Sequence, residues 1–472
     1  MRIGIVVEGS YPYVSGGVAS WVQMLMENLP EHQFEIIAIT PGPMAEKDYK
    51  YSLPHNVTGV TNLPLNHHQQ GEKPGKMNQQ EQKDLFDWMM FKRNEADVFR
   101  LWKEKTGGTE AFFSSELFWK AVQESYQEEQ QTGSFIEYFY MWRGMFTPVI
   151  ELMQYDFPQV DLVHAVSTGY AGLVASAMKK EQDIPFILTE HGIYSREREE
   201  EILQARWIAD YYKKRWIGFF HHLSRQAYED ADDIISLFER NNQLQAQIGA
   251  KEEKLSVIPN GIHYDRLSQL ERKLMDKDML IIGAIVRVVP IKDIKTMIQA
   301  AKLLKDAGVL FRLYILGPLD EDEEYAEECL QLVEQLELTS NVLFPGKVSI
   351  ADYLPMFDVC LLTSISEGQP LAVLEGMAAG VPWIVTDVGA CSELIYGRSD
   401  DPYGPAGFTV APVHPLQIAE YCEWFYHHPE EARKFGLNGK KRVEQYYQIP
   451  HFIEKYRQLY FVRRDVYGGY RV

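Results

Sequence analysis

Two short apolar runs, Val359–Leu362 and Trp383–Thr386, enclose a polar loop and a helix-forming stretch, and this segment constrains the fold more than any other. An apolar run without polar alternation reads as a strand buried on both faces. Ser364–Gln369 between them is polar and contains glycine. Pro370 has no N–H to lose at a first helical turn, and its φ is already helical. Leu371–Ala379 carries strong helix formers, and Gly380 suits the left-handed position just past a helix end. Strand, loop, helix, strand is the repeating unit of a parallel α/β sheet. Such sheets bind ligands at the carboxyl ends of their strands, and a helix N-terminus there favours an anion.

Two carboxylates bracket that position: Glu367 in the loop and Glu375 in the helix, roughly 7–8 Å along the axis from its start. A carboxylate is a poor neighbour for phosphate and a good acceptor for two adjacent hydroxyls. A diphosphate at the helix end, with one hydroxyl pair near each carboxylate, describes a nucleotide sugar. Gly368, Gln369, Pro370 and Leu371 then form the wall of that site. The plainer alternative is a helix with one capping and one exposed glutamate.

The chain begins similarly. Met1–Val7 reads as a buried strand, Gly9–Gly17 as a loop, Val18–Leu29 as a helix with Val18, Val22, Leu25 and Leu29 at core spacing, and Phe34–Ile39 as the next strand. This is a Rossmann-like start without the G-x-G-x-x-G fingerprint. Gly16 and Gly17 let a backbone approach a ligand closely, or simply make a tight turn. Pro41–Gln80 reads as an irregular loop. Glu81–Tyr155 reads as inserted amphipathic helices whose aromatic residues form their own core rather than a sugar platform.

Strands at Val160–Val166 and Pro185–Leu188 follow, the second running into Thr189-Glu190-His191-Gly192. His191 therefore projects from a carboxyl end; the alternative is a structural histidine there. Ile234–Leu237 and Leu255–Ile258 are further strands. A turn at Pro259-Asn260-Gly261 precedes a linker expected at His263–Lys277. Met279–Ile285 opens a second sheet. Arg287 and Lys292 flank Pro290 after it and offer two cations for a diphosphate, or are solvated surface charges. Asp320-Glu321-Asp322 has the look of a D-x-D metal motif, but a place at a helix N-terminus favours complementing the dipole. The expected organisation is an N-terminal domain, 1–262, with an insertion around 81–155; a C-terminal domain, 263–447; and a terminal helix within 448–472.

At 472 residues the chain has room for two or three cores. A net charge of −20 excludes a polybasic surface for nucleic acid or membrane, so an anionic ligand needs a local basic cluster. The four cysteines form no C-x-x-C. No apolar run approaches a membrane span and none at the N-terminus suits a signal peptide, so the expected compartment is the cytoplasm.

GSYPYVSGGVASW, TEHGIYSRERE, VIPNGI, the R-x4-K pair and SEGQPLAVLEGMAAGVPW together resemble the retaining glycosyltransferases of family 4, which have the GT-B fold, and within them those of Pel-type exopolysaccharide systems. The resemblance implies two Rossmann-like domains facing a cleft, with the terminal helix crossing back to the first domain. It implies that Arg287 and Lys292 contact the donor diphosphate and that Gly346-Lys347-Val348 reads a nucleobase through backbone groups, with Val348 at its edge. It places Gly16, Gly17 and Asn260 beside the substrates, and His191 against the donor hexose. The expected function is transfer of a hexose from a UDP-sugar, UDP-glucose favoured, to a growing glycan. No metal or further cofactor is expected, nor a nucleic-acid partner, and a membrane polysaccharide synthase complex is the implied place of work. A UDP-sugar 2-epimerase and a non-catalytic UDP-sugar sensor of such a complex are the alternatives.

Overall fold

Continuous apolar runs form the central strands of two parallel sheets. The computed structural model describes residues 1–65, 74–92, 97–129, 133–271 and 279–468. It divides into two units: Met1–Ser236 with Asn241–Val257 and the chain from Tyr456 on, and Leu237–Arg240 with Ile258–Lys455.

The first unit holds β1 (Arg2–Glu8), β2 (Gln33–Thr40), β3 (Val57–Pro64), β4 (Leu162–Ala165), β5 (Phe186–Glu190), β6 (Asp233–Ser236) and β7 (Leu255–Val257). Their order is β3-β2-β1-β4-β5-β6-β7, and every pairing is parallel. The chain order reverses beside β1, so the switch point where such sheets bind ligands lies between β1 and β4. β3 occupies part of the stretch expected to be irregular. It is an edge strand with few apolar residues, and Gly59 leaves room for Glu35 of β2, so it shows no buried-strand pattern. Helices at Gln79–Met89, Val98–Lys105, Thr109–Phe113, Glu116–Glu128 and Phe135–Met153 follow β3, and Trp88, Trp102, Phe118 and Trp142 are fully buried among them.

The second unit holds β8 (Leu280–Ile285), β9 (Phe311–Leu316), β10 (Val342–Gly346), β11 (Val359–Leu362), β12 (Trp383–Thr386) and β13 (Gly407–Val410). All pair in parallel, in the order β10-β9-β8-β11-β12-β13, so its switch point lies between β8 and β11. The helix after β11 runs Leu371–Ala378 and ends in paired bonds, Gly380 N–H to Met377 C=O and Val381 N–H to Gly376 C=O, with Gly380 at φ +76°. This is the left-handed glycine closure the sequence calls for.

The compact units divide at 257/258, with Leu237–Arg240 in the second, beside the domain boundary the sequence suggests at 262/263. Gln369 of the second unit binds both segments. Its Oε1 accepts from the Asn260 N–H at 2.7 Å and its Nε2 donates to the Leu237 carbonyl at 3.5 Å. Of the expected linker, 272–277 lies outside the described residues, while Tyr264 and Leu267 are buried in the second core. The last helix, Ile449–Gly468, contains the other boundary, at 455/456.

Arg442 ties the second unit together while fully buried. Its Nε and Nη2 donate to the two Asp401 oxygens at 2.6 and 3.2 Å. Its Nη1 donates to the Leu394 and Ile395 carbonyls, and Nη2 also to that of Gly404. Removing one partner of a buried ion pair strands the other charge. Arg442→Met should therefore lower unfolding free energy by roughly 3–5 kcal/mol in urea titration; a loss below about 1 kcal/mol would show Asp401 hydrated or neutral in the folded state.

Candidate functional site

In the second unit Lys292 and Glu367 meet at the β8/β11 switch point. The loops after these strands are laced together: Thr363 Oγ1 donates to the Lys292 and Asp293 carbonyls, both at 3.0 Å, and the Ile365 N–H to the Ile291 carbonyl at 2.9 Å. Lys292 Nζ and Ser364 Oγ both donate to Glu367, and both contacts land on Oε1. With side chains 16% and 9% exposed, Lys292 and Glu367 form a largely buried pair whose carboxylate has its second oxygen directed elsewhere. Arg287 differs. Its Nη1 meets Glu321 at 2.7 Å on the surface, in a pair with its guanidinium 55% exposed, and such pairs contribute little and exchange readily. Neither cation is bare, and only Arg287 is loosely held.

Glu321 belongs to the run that resembles a metal motif. Asp322 is the N-cap of the helix Glu323–Gln335, its side chain accepting from the Tyr325 N–H at 3.0 Å, a capping role. Among the described residues no group of three or more His, Cys, Asp and Glu is arranged to hold a metal ion.

Glu375 is half-buried on the helix after β11, with no hydrogen bond to its carboxylate among the described residues. Burial pushes its pKa up to about 7, with Arg266 pulling the other way. The helix begins at Leu371, one residue after the start expected at Pro370, which is its N-cap, and no side chain caps it. Leu371 stands 40% exposed at its first position. Gly368 accepts from the Ala390 N–H at 2.9 Å. A Cβ on Gly389 would lie 2.1 Å from the Glu367 carbonyl, so that glycine, at φ +53°, lets the turn after β12 brace the Glu367 loop. The sequence places Gly389 at the end of the key segment but gives no sign of this contact. A cavity of about 400 Å³ lies against Pro318, Leu319, Asp320, Glu323, Gly346 and Lys347, beside half-buried Val348. Gln369 and Asn260 are buried, and Gln369 spends its amide on the fold; Asn260 Oδ1 has no partner.

In the first unit Gly16 is the N-cap and Gly17 the first residue of the helix Gly17–Glu27, which no side chain caps, and a Cβ on either would meet nothing within 4 Å. Neither has a left-handed φ, so internal packing does not require glycine at either place. His191 follows β5. Its Nε2 is buried without a hydrogen-bond partner, although the residue keeps some surface elsewhere. The space over Gly192 is filled by Glu197, whose Oε1 lies 1.9 Å from where a Cβ would sit. Just before His191, Glu190 is buried and accepts from Tyr228, Gln245 and Thr168 side chains, which anchors the strand end. Tyr194 packs over Gly169, at φ +63°, and donates to Glu8 at 2.8 Å.

Burial holds first-unit histidines below their ordinary pKa of 6.5: His191 to about 4, His164 and His222 to about 3, with His32 lowered as well. Each is neutral when folded and takes a proton on unfolding below pH 6.5, so the unfolded state binds more protons and stability falls as pH drops from about 6.5 toward 4. Protection factors of first-unit amides, taken against the intrinsic rate at each pH, should fall over that window; flat protection from pH 7 to 4.5 would contradict the burial of these rings.

Comparisons with known proteins fit this geometry. Residues 1–253 match the family described as a domain of unknown function, DUF3492, and residues 265–442 match glycosyl transferases group 1. The MMP alpha-(1->4)-mannosyltransferase of Mycolicibacterium hassiacum is 23% identical over 60% of this chain and 66% of its own length. The chain thus spans just under two thirds of that relative. Sucrose-phosphate synthase of Thermosynechococcus elongatus superposes with TM-score 0.62 at 16% identity, covering 99% of each chain. Anabaena HepE, solved with UDP and glucose, does so at 0.57 and 14%, covering 97% of this chain and 99% of its own. These likenesses show the GT-B fold.

Proposed function

Because the chain belongs to the DUF3492 family, whose model spans more than half of it, and carries a group 1 glycosyl transferase segment at 265–442, we propose that it is a glycosyltransferase: it transfers a hexose from a UDP-sugar, with UDP-glucose favoured, to a growing glycan with retention of configuration. Pel-type exopolysaccharide synthesis is the setting the sequence motifs favour. The observation that carries the reading is the division of labour at the β8/β11 switch point.

Glu375, half-buried and without a protein partner, is the acceptor for the ribose hydroxyl pair. The cavity at Gly346 and Lys347 takes the uracil, with the Val348 backbone at its edge. Arg287 leaves Glu321 for the diphosphate, an exchange that costs little because the pair is exposed. Lys292 stays with Glu367 and adds fixed positive charge beside the uncapped helix N-terminus. The second Glu367 oxygen receives a hexose hydroxyl. Leu371 and Gly368 line the approach, and Gly16 and Gly17 are the substrate-binding glycines of the first unit. Charge grows on the diphosphate as the glycosidic bond breaks, and prearranged donors lower that barrier. The departing phosphate takes the acceptor's proton on the same face, so no external base is required. His191, neutral near pH 7, steadies the anomeric region through its ring and backbone carbonyl. HepE's complex with UDP and glucose supports the donor choice by analogy of fold.

Two measurements test this. Glu375→Ala should weaken UDP by roughly 1.5–3 kcal/mol in calorimetry, the range for hydrogen bonds to a charged group; unchanged affinity sinks the ribose assignment. Incubation with UDP-glucose should release UDP by transfer or slow hydrolysis, insensitive to EDTA, and lost in Arg287→Ala. Epimerised donor with no UDP, or no turnover with intact binding, would overturn the transferase reading.

A further inference from the structure

We propose that Trp21 and Tyr456 are positioning residues for His191, fixing the orientation and the dry surroundings of its imidazole at the carboxyl end of β5. This rests on the role given to His191 above. The Trp21 indole meets the imidazole edge to face, centroids 4.8 Å apart at 84°. Trp21 also meets Tyr456 at 5.4 Å and 78°, and His164 at 5.9 Å and 85°. A core tryptophan ordinarily packs on aliphatic groups; this one, 4% exposed, holds three polar rings. Edge-to-face contacts fix ring angles that an aliphatic side chain of similar size leaves free.

Tyr456 acts through the backbone as well. Its hydroxyl is 3.0 Å from Thr189 Oγ1, two residues before His191. The same oxygen is 2.8 Å from His164 Nε2, and His164 Nδ1 is 2.7 Å from the Tyr460 hydroxyl. Tyr456, Tyr460 and His164 are all fully buried. The end of β5 is therefore fastened to the last helix through three consecutive side-chain bonds, and the ring beyond it is braced by the helix that starts at Gly17. Of the titratable groups around the ring, His164 on β4 feels His191 electrostatically, and Glu197 on the helix after β5 fills the space over the neighbouring Gly192. His164 is held neutral by burial, Tyr456 keeps its proton far above neutrality, and burial alone depresses the His191 pKa. A buried Nε2 without a partner costs free energy in the unliganded protein. A substrate hydroxyl is what would satisfy it.

The test uses the full-length protein with UDP-glucose, histidine-selective NMR and pH profiles of kcat and KM. In Trp21→Leu water reaches the ring: the His191 pKa should climb toward the free value of about 6.5. An acid limb in kcat should move up with it, kcat at neutral pH should fall roughly tenfold or more, and KM for the donor should stay within about twofold. Trp21→Phe, which keeps an aromatic edge, should recover most of kcat. Tyr456→Phe removes one oxygen and keeps the ring; it should lower kcat severalfold at constant KM and shift the His191 resonances. If Trp21→Leu does not fold, Tyr456→Phe with unchanged kcat and unchanged His191 resonances overturns the proposal. Lowered melting temperature with the His191 pKa and the kcat profile unmoved also overturns it, leaving Trp21 as core. A moved pKa with kcat unchanged at every pH keeps the positioning and rejects the catalytic reading of His191.

Discussion

In each sheet the strands all run the same way, and the candidate site depends on that constraint. A parallel pair needs a crossover, and the crossover returns every strand's carboxyl end to one edge. Residues far apart in sequence then meet as neighbours. Lys292 and Glu367 are 75 positions apart, yet their loops leave the adjacent strands β8 and β11 at the switch point. Their pair is buried enough to persist and singly engaged enough to leave a carboxylate oxygen over. The Arg287–Glu321 pair, on the surface, has the opposite character. One arrangement supplies fixed charge and the other supplies charge that a ligand can claim.

The two glutamates that bracket the helix look equivalent in the sequence and are not equivalent in the fold. Glu367 has a cation and a hydroxyl on one oxygen; Glu375 has neither, and burial raises its pKa. Spacing predicts that both face the site. It carries no information on which neighbour each will find, because those neighbours come from distant segments. The same holds for Gln369, which the sequence groups with the substrate wall and the fold uses to hold Asn260 and Leu237.

Legibility follows burial. Strands β1, β8, β11 and β12 are interior, so their apolar runs announce them; β3, at a sheet edge, has no such pattern, and β13 escapes the same reading. The helix Leu371–Ala378 declares both ends through Pro370 and Gly380. The acidic helix Tyr194–Gln204 offers little apolar periodicity and is missed although it carries Tyr194 and Glu197. Trp21 lies i+3 from Val18 and i−4 from Leu25, on the face the spacing marks as core, so nothing in the sequence separates it from an ordinary core tryptophan or announces its contacts with polar rings.

The contact between Gly389 and the Glu367 carbonyl has a consequence for modularity. The loop after β11 is not an independent insert, since its backbone lies where any side chain at 389 would stand. Together with the bond from the Ala390 N–H to the Gly368 carbonyl, it makes the loops after two neighbouring strands one mechanical part. Recombination between related chains that exchanges the first loop alone would pair it with a turn shaped for another partner. A functional exchange therefore has to carry both loops, with its crossovers before β11 or beyond Cys391.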